Sequence, residues 1–163
     1  MDTLEGKPDH QKIWAGPSSN TDDLEIRAAD FFGCNSFVDY EIGRVLDAID
    51  SNTQDALVIY TSDHGDFLHS HGLSGKGPAM YEEITNVPFI VRWPGSAPKG
   101  AVSSSLVSHI DLVPTVMDAF GLDRPTILEG KSMVPLCRNP STELNETVFM
   151  EFTRYEIDHD GFG

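Results

Sequence analysis

Asp63 and His64 are neighbours in the sequence, and Gly65 follows them directly. A carboxylate and an imidazole together can bind a divalent metal ion. Neighbouring side chains on a strand point to opposite faces, so these two can converge on one ion only where a strand breaks into a turn, which Gly65 allows. They would make half of a metal site, and the remaining ligands must come from elsewhere. Alternatively, Asp63 starts a turn and His64 is an ordinary surface histidine.

The loop after this pair contains His69, His71 and Lys76, with glycines between them that let a backbone approach a bound anion closely. The Lys76 ammonium offers a point charge for an oxygen of a sulfate or phosphate group. His71 is the better of the two histidines for contacting substrate or protonating a leaving group. The alternative is that Lys76 is a solvated surface amine and that the histidines only make the loop polar.

Two apolar segments frame this loop and predict strands. Residues 56–60 are apolar throughout, which predicts a strand covered on both faces, and residues 87–93 predict a second strand that stops at a Pro-Gly pair. Ligands of open α/β sheets bind beyond the carboxyl ends of the strands, which is where Asp63 and His64 lie. Residues 147–152 predict a third strand.

Helices are predicted between these strands. Apolar residues at spacings of three and four predict a long helix over residues 24–49, with a stripe formed by Phe31, Cys34, Val38, Ile42, Val45 and Ile49. A shorter helix is predicted over residues 111–120, with Asp111 as its N-cap. Glu82 and Glu83 predict a helical turn in which one of them pairs with Arg92 or a backbone amide. Strands alternating with helices indicate an α/β fold with a partial mixed or parallel sheet flanked by helices.

The domain organisation follows from these elements. Residues 1–23 are predicted to form a polar, extended lead-in without a core, residues 24–153 a partial α/β domain, and residues 154–163 a truncated tail. Three strands are few for such a sheet, so an exposed sheet edge is expected. An exposed edge promotes self-association.

The formal net charge of −15 disfavours nucleic acid and anionic membrane surfaces as partners. A small anionic ester remains possible if a bound cation and a nearby basic group supply local positive charge. The apolar runs are too short to span a bilayer, and the chain begins without a secretory signal, so a cytoplasmic location is the default expectation. Cys34 and Cys137 are expected to be two free or buried thiols.

The residues from Tyr60 to Gly95, YTSDHGDFLHSHGLSGKGPAMYEEITNVPFIVRWPG, resemble a signature region of the sulfatase family in the alkaline phosphatase superfamily. The resemblance extends over roughly residues 28–136, the C-terminal part of such a catalytic domain. It implies that Asp63 and His64 bind the catalytic divalent cation, usually calcium, and that Lys76 contacts the sulfate group. It also implies that His71 lies near the leaving group. The implied reaction is metal-dependent hydrolysis of a sulfate ester.

The sequence departs from this family in lacking the Cys/Ser-x-Pro-x-Arg motif, whose Cys or Ser becomes the formylglycine nucleophile. The segment CRNPS at residues 137–141 does not match it, because it has one residue too many before the proline and lacks the arginine. Formylglycine is therefore expected only in a missing N-terminal half that also carries the first metal carboxylates. We expect the chain alone to bind metal poorly and to be inactive.

Two alternatives stay open at this point. A phosphodiesterase or phosphonate monoester hydrolase uses the same frame, and His64 in place of asparagine favours manganese or zinc over calcium. The second alternative is a non-catalytic interaction module that has lost its chemistry, in line with the absent nucleophile.

Overall fold

The computed structural model of the protein describes residues 5–15 and 21–151, without the side chains of residues 21–27. The chain divides into two compact units. The loop unit comprises Met1–Thr53, Thr61–Phe89 and Glu151–Gly163, and the strand unit comprises Gln54–Tyr60 and Ile90–Met150. The tail predicted at residues 154–163 lies outside the described residues.

The loop unit begins with a helix, α1 (Asp9–Ala15), that packs into its core. Asp9 lies in the first turn, where a negative charge interacts favourably with the helix dipole. Its Oδ1 lies 3.1 Å from the Lys12 ammonium. Gln11 and Ala15 are buried. The extended structure predicted for residues 1–23 is therefore wrong over α1, because Trp14 and Ala15 supply apolar surface that the loop after residue 61 covers.

A long helix, α2 (Thr21–Asn52), confirms the helix predicted from the apolar spacing. The stripe that predicted it is not buried. Val38 and Val45 are exposed, and so are Phe32, Phe37 and Tyr40 on the same helix. Spacing therefore identified the secondary structure correctly, but it does not show which surface covers the apolar residues.

The two strands β1 (Val58–Thr61) and β2 (Phe89–Arg92) pair in a two-stranded sheet. The prediction that the first strand is covered on both faces is wrong within the described residues, because its residues are half-buried and Tyr60 is exposed. Residues 147–151 do not form the predicted third strand. Near them, Asn145 makes a single antiparallel bridge with Leu106. Self-association through a sheet edge stays a prediction.

The loop predicted between the strands contains a 3-10 turn, Ser70–Gly72, and a short helix, α3 (Glu82–Thr85). The helical turn expected at the two glutamates is therefore confirmed. None of the helices in the described part of the chain combines the length and the hydropathy that a membrane span requires. Cys34 and Cys137, which both lie in that part, are free thiols.

The strand unit is organised around α4 (Leu112–Ala119), which packs against α5 (Val134–Arg138) and against a 3-10 turn at His109–Asp111. Asp111 is the N-cap residue of α4, as predicted, but its side chain makes no capping hydrogen bond to that helix. Its carboxylate turns back and accepts hydrogen bonds from three groups: the Ser108 N–H at 2.9 Å, the Lys131 N–H at 2.7 Å and the Asn145 side-chain amide at 3.1 Å. Asp111 is 1% exposed, and these donors replace the water that its charge would otherwise need.

Replacing Asp111 with alanine should lower the free energy of unfolding by about 3 kcal/mol, because it leaves buried donors without an acceptor. The change Asp111→Asn should cost about 1 kcal/mol, since its amide oxygen still accepts. Urea unfolding followed by the combined fluorescence of Trp14 and Trp93 measures both. Asp123→Ala, at an exposed position, is the matched control, and an equal unfolding midpoint for Asp111→Ala and Asp123→Ala would contradict the assigned role.

Candidate metal and anion site

The turn directly after β1 brings the side chains of Asp63 and His64 to the same side. Asp63 Oδ1 accepts a hydrogen bond from the His64 backbone N–H at 2.9 Å, and Asp63 Oδ2 lies 3.2 Å from His64 Nε2. Ser62 supports the turn by donating its hydroxyl to the His64 carbonyl at 2.8 Å. The side chains of Asp63 and His64 therefore converge at a turn that follows a strand, as the sequence predicted. The Asp63 side chain is 81% exposed.

The His64 imidazole is oriented by a backbone carbonyl. Its Nδ1 lies 2.8 Å from the Gly65 oxygen, which can only accept, so Nδ1 carries the proton. Nε2 then presents its lone pair, and the Lys76 ammonium contacts it at 2.6 Å. Metal-binding histidines show the same pattern, with one ring nitrogen donating to a carbonyl and the other facing the cation.

Positive charge already gathers at this pair. The hydrogen bond from the His64 backbone N–H is the largest cause that lowers the pKa of Asp63, and the charge of Lys76 lowers it further. The carboxylate is therefore ionised at neutral pH, as binding of a divalent cation requires. The two side chains fit a cation with one carboxylate oxygen and one imidazole nitrogen. Within residues 5–15 and 21–151, no group of three or more His, Cys, Asp or Glu side chains could hold a metal ion.

Gly65 lets the turn approach α3 more closely than any other residue would. Its N–H donates to the Ile84 carbonyl at 3.0 Å. A Cβ atom at this position would lie 1.7 Å from the Glu83 carbonyl oxygen, which is backbone and cannot swing aside. Because Gly65 has no side chain, the turn that carries Asp63 and His64 can lie directly against α3.

An apolar core holds the rest of the loop. Phe67 and Leu73 are fully buried, and the cluster that contains them includes Ala15, Ala79 and Ile84, with Trp14 and Tyr81 packed against it. Phe67 makes edge-to-face contacts with Trp14 and Tyr81, with ring centroids 5.4 and 6.0 Å apart. The loop that carries the candidate residues is therefore a packed structure, which limits how far those residues can move.

His71 occupies a strained position within this loop. Leu68, His69 and His71 have positive φ angles of 43°, 68° and 57°, a conformation that costs energy for residues with a side chain. The His71 ring stacks on Tyr81 at 3.9 Å between centroids and an interplanar angle of 17°. Its Nε2 lies 3.3 Å from each carboxylate oxygen of Glu83.

The predicted site residues thus form two groups. Asp63, His64 and Lys76 meet at one point, while His71 lies against Tyr81 and Glu83. Glu83 accepts a hydrogen bond from its own backbone N–H, which agrees with the expectation that one of the two glutamates pairs with Arg92 or a backbone amide. Glu83 also contacts His71, and Glu82 accepts from Asn86 at 2.8 Å. The sequence placed Glu83 in a helical turn, and no spacing rule links Glu83 or Tyr81 to a histidine in a preceding irregular loop.

A model of the sulfatase family matches residues 10–122. The chain belongs to the sulfatase family. It is 41% identical to the uncharacterized sulfatase YidJ of Escherichia coli over 166 residues, which cover 100% of this chain and 32% of that protein. It is also 31% identical to an N-acetylglucosamine-6-O-sulfatase of Bacteroides thetaiotaomicron over 127 residues, which cover 75% of this chain and 23% of the relative. The chain thus spans less than a third of the length of these relatives.

Two solved structures are similar to this sulfatase chain in fold. BT4656, in complex with its substrate D-glucosamine-2-N,6-O-disulfate, superposes with a TM-score of 0.69 at 31% identity, covering 76% of this chain and 26% of that one. The phosphonate monoester hydrolase SpPMH of Silicibacter pomeroyi gives a TM-score of 0.60 at 33% identity, covering 64% and 21%. The expected alkaline phosphatase-like α/β fold is confirmed. Members of this superfamily use divalent metal ions.

Adding a methyl group at Gly65 should destabilise the loop unit by about 2–3 kcal/mol, because the backbone of α3 must shift to accommodate it. Urea unfolding followed by the combined fluorescence of Trp14 and Trp93 measures the effect of Gly65→Ala. Gly43→Ala is the matched control, since nothing lies within 4 Å of the point in α2 that its methyl group would occupy, and it should be neutral or stabilising by up to about 1 kcal/mol. Equal unfolding midpoints for the two variants would contradict the close approach.

The pKa of Glu83 lies below its ordinary value of 4.5, mainly because its own backbone N–H donates to it and also because His71 contributes charge and a hydrogen bond. Its ionised form therefore stabilises the fold above about pH 4.5, and this contribution is lost as pH falls through the lower, folded-state pKa. In His71→Ala, the pKa of Glu83 should rise toward its ordinary value. Carboxyl ¹³C titration by NMR measures this shift, and an unchanged midpoint in His71→Ala would contradict the pairing.

Proposed function

We propose that this chain supplies the metal- and anion-binding loop of an enzyme that hydrolyses sulfate esters. The observation that carries the proposal is the contact of Asp63, His64 and Lys76 at one point, with distances of 3.2 Å and 2.6 Å to the same imidazole nitrogen. Membership of the sulfatase family supports the reaction type. The similarity to an N-acetylglucosamine-6-O-sulfatase supports a sulfated amino sugar as the class of substrate.

In this proposal Asp63 and His64 hold a divalent cation, with calcium as the first candidate and manganese or zinc as the others that an imidazole ligand favours. Such a cation stabilises the negative charge that builds up on the oxygens of the sulfate group during displacement. The Asp63 carboxylate contributes charge, and the carbonyl of Gly65 keeps the His64 lone pair directed at the ion. Residues other than Asp63 and His64 supply the remaining ligands.

Lys76 contributes the positive charge that an anionic ester needs at a chain of net charge −15. Its ammonium, on an exposed residue, already contacts the lone pair of His64. A bound cation at Asp63 and His64 would repel the ammonium from that position, toward a sulfate oxygen. His71 is proposed to protonate the leaving oxygen, because its imidazole lies in the same loop.

A second candidate function is hydrolysis of phosphonate monoesters or phosphate diesters. The observations that favour it are the fold similarity to SpPMH over 64% of this chain and the imidazole at position 64. The two functions share the cation and Lys76, so they differ in which ester the enzyme turns over fastest. A substrate panel therefore separates them.

The test places this chain in an active relative, as a chimera in which it replaces the matching segment of the Bacteroides N-acetylglucosamine-6-O-sulfatase. The chimera should hydrolyse N-acetylglucosamine 6-sulfate faster than a phosphonate monoester or a phosphate diester. Asp63→Asn, His64→Ala and Lys76→Ala should each lower kcat/KM roughly 100-fold or more, because each removes charge stabilisation or a cation ligand.

The exposed residues Asp39 and Lys99 offer matched controls. Asp39→Asn and Lys99→Ala should change kcat/KM by no more than about twofold, as is usual for surface positions. Retention of full activity in Asp63→Asn and Lys76→Ala would defeat the proposal. A folded chimera that hydrolyses none of the three esters would defeat it as well, and a preference for the phosphonate would establish the second candidate.

A further inference from the structure

The His71 ring is held on two sides by residues that have no assigned part in the site. Tyr81 covers one ring face at 3.9 Å, and the Glu83 carboxylate contacts the Nε2 edge at 3.3 Å. The His71 side chain is 26% exposed and that of Glu83 is 34% exposed, so both are partly shielded from water. A stack and a hydrogen bond together fix the ring plane as well as the rotation of the ring within that plane.

Tyr81 is itself held firmly, which makes it a suitable platform. Its hydroxyl donates to the Gln11 side-chain oxygen at 3.1 Å, and its ring packs edge-to-face on the fully buried Phe67. The Lys7 ammonium lies 5.1 Å from the ring centroid, within range of a cation–π contact. The platform beneath His71 is thus anchored to α1 and to the loop core, and it does not depend on His71 for its position.

The left-handed backbone of His71 is consistent with this arrangement. A φ of 57° costs a residue with a side chain energy that other contacts must offset. The stack on Tyr81 and the contact with Glu83 are contacts of this kind. The backbone conformation is therefore part of how the ring reaches Tyr81 and Glu83.

The contact with Glu83 also decides which ring nitrogen exchanges a proton. An ionised carboxylate only accepts hydrogen bonds, so Nε2 of His71 carries a proton and donates it in a hydrogen bond to Glu83. The proton that the ring can give up is then the one on Nδ1. A carboxylate that fixes the tautomer and orientation of a histidine in this way is a recurrent device of enzymes that use histidine as an acid or base.

We propose that Tyr81 and Glu83 are positioning residues that hold His71 so that its Nδ1 protonates the leaving oxygen. This inference rests on the proposed sulfate ester hydrolysis. An oxygen nucleophile forms the new bond to sulfur while the S–O bond to the leaving group breaks and its electron pair passes to the leaving oxygen. That oxygen takes the Nδ1 proton of protonated His71, and the ring becomes neutral with its Nε2 proton still bound to Glu83.

The positioning is tested on the chain itself by NMR, without any turnover. The ring protons of His71 should resonate upfield in the wild-type chain, because Tyr81 lies parallel to them. Glu83→Ala and Tyr81→Leu should each lose most of that upfield displacement. Glu83→Gln should retain it, because the amide oxygen still accepts from Nε2. Glu82→Ala is the matched control, since Glu82 lies in the same helix and bonds Asn86 instead.

The catalytic consequence is tested in the chimera by varying the leaving group. Protonation matters most for a poor leaving group, so Glu83→Ala and His71→Ala should lower kcat for N-acetylglucosamine 6-sulfate roughly 100-fold. They should lower it much less for 4-nitrophenyl sulfate, whose leaving group departs without a proton, and KM should change little. His69→Ala is the matched control for His71→Ala, because His69 lies in the same loop with a similar φ of 68°.

The two measurements separate failure of this inference from failure of the proposed function. Unchanged His71 ring signals in Glu83→Ala would overturn the positioning, whatever the chimera does. Equal losses of kcat for both esters would show a merely structural role for Glu83 and would also overturn it. An inactive unmodified chimera would refute the proposed function, and with it the proton transfer to the leaving oxygen, while the ring signals would still decide whether Glu83 and Tyr81 orient His71.

Discussion

The close approach of Gly65 to the backbone of α3 is the constraint on which the candidate site depends. Because Gly65 has no side chain, the turn after β1 can bond the Ile84 carbonyl and pass against the Glu83 carbonyl. Helix α3 therefore contributes both the backbone against which the Asp63–His64 turn packs and the Glu83 carboxylate that contacts His71. One glycine thereby ties the cation ligands and the proposed proton donor to a common support.

Electrostatics explains why these residues sit together in a strongly acidic chain. Asp63 and Glu83 each have a lowered pKa, and a backbone N–H is the largest cause in both cases. Both carboxylates therefore stay ionised and each keeps a basic side chain next to it, His64 with Lys76 at one and His71 at the other. Local pairing of this kind lets an acidic protein present positive charge to an anionic substrate without reversing its overall field.

The sequence predicted the elements that rest on local rules and missed those that rest on long-range packing. Helix α2 followed from apolar spacing, and the turn at Asp63 and His64 followed from a strand end beside a glycine. The burial of α1 and the contact of Glu83 with His71 were not predictable. Each joins segments that are far apart in the sequence, and no repeating residue pattern connects such segments. Asp111 was expected to cap a helix and is the N-cap residue of α4, but the sequence did not indicate that its carboxylate binds donors 20 and 34 residues away.

Those distant donors have a consequence for the way the strand unit is assembled. A carboxylate that is 1% exposed needs its partners in place before it can leave water, and two of the three come from Lys131 and Asn145. Burial of the His109–Asp111 turn therefore depends on residues that follow it by up to 34 positions in the chain. A chain that ends before Asn145 leaves this buried carboxylate short of one of its three donors, which destabilises the strand unit.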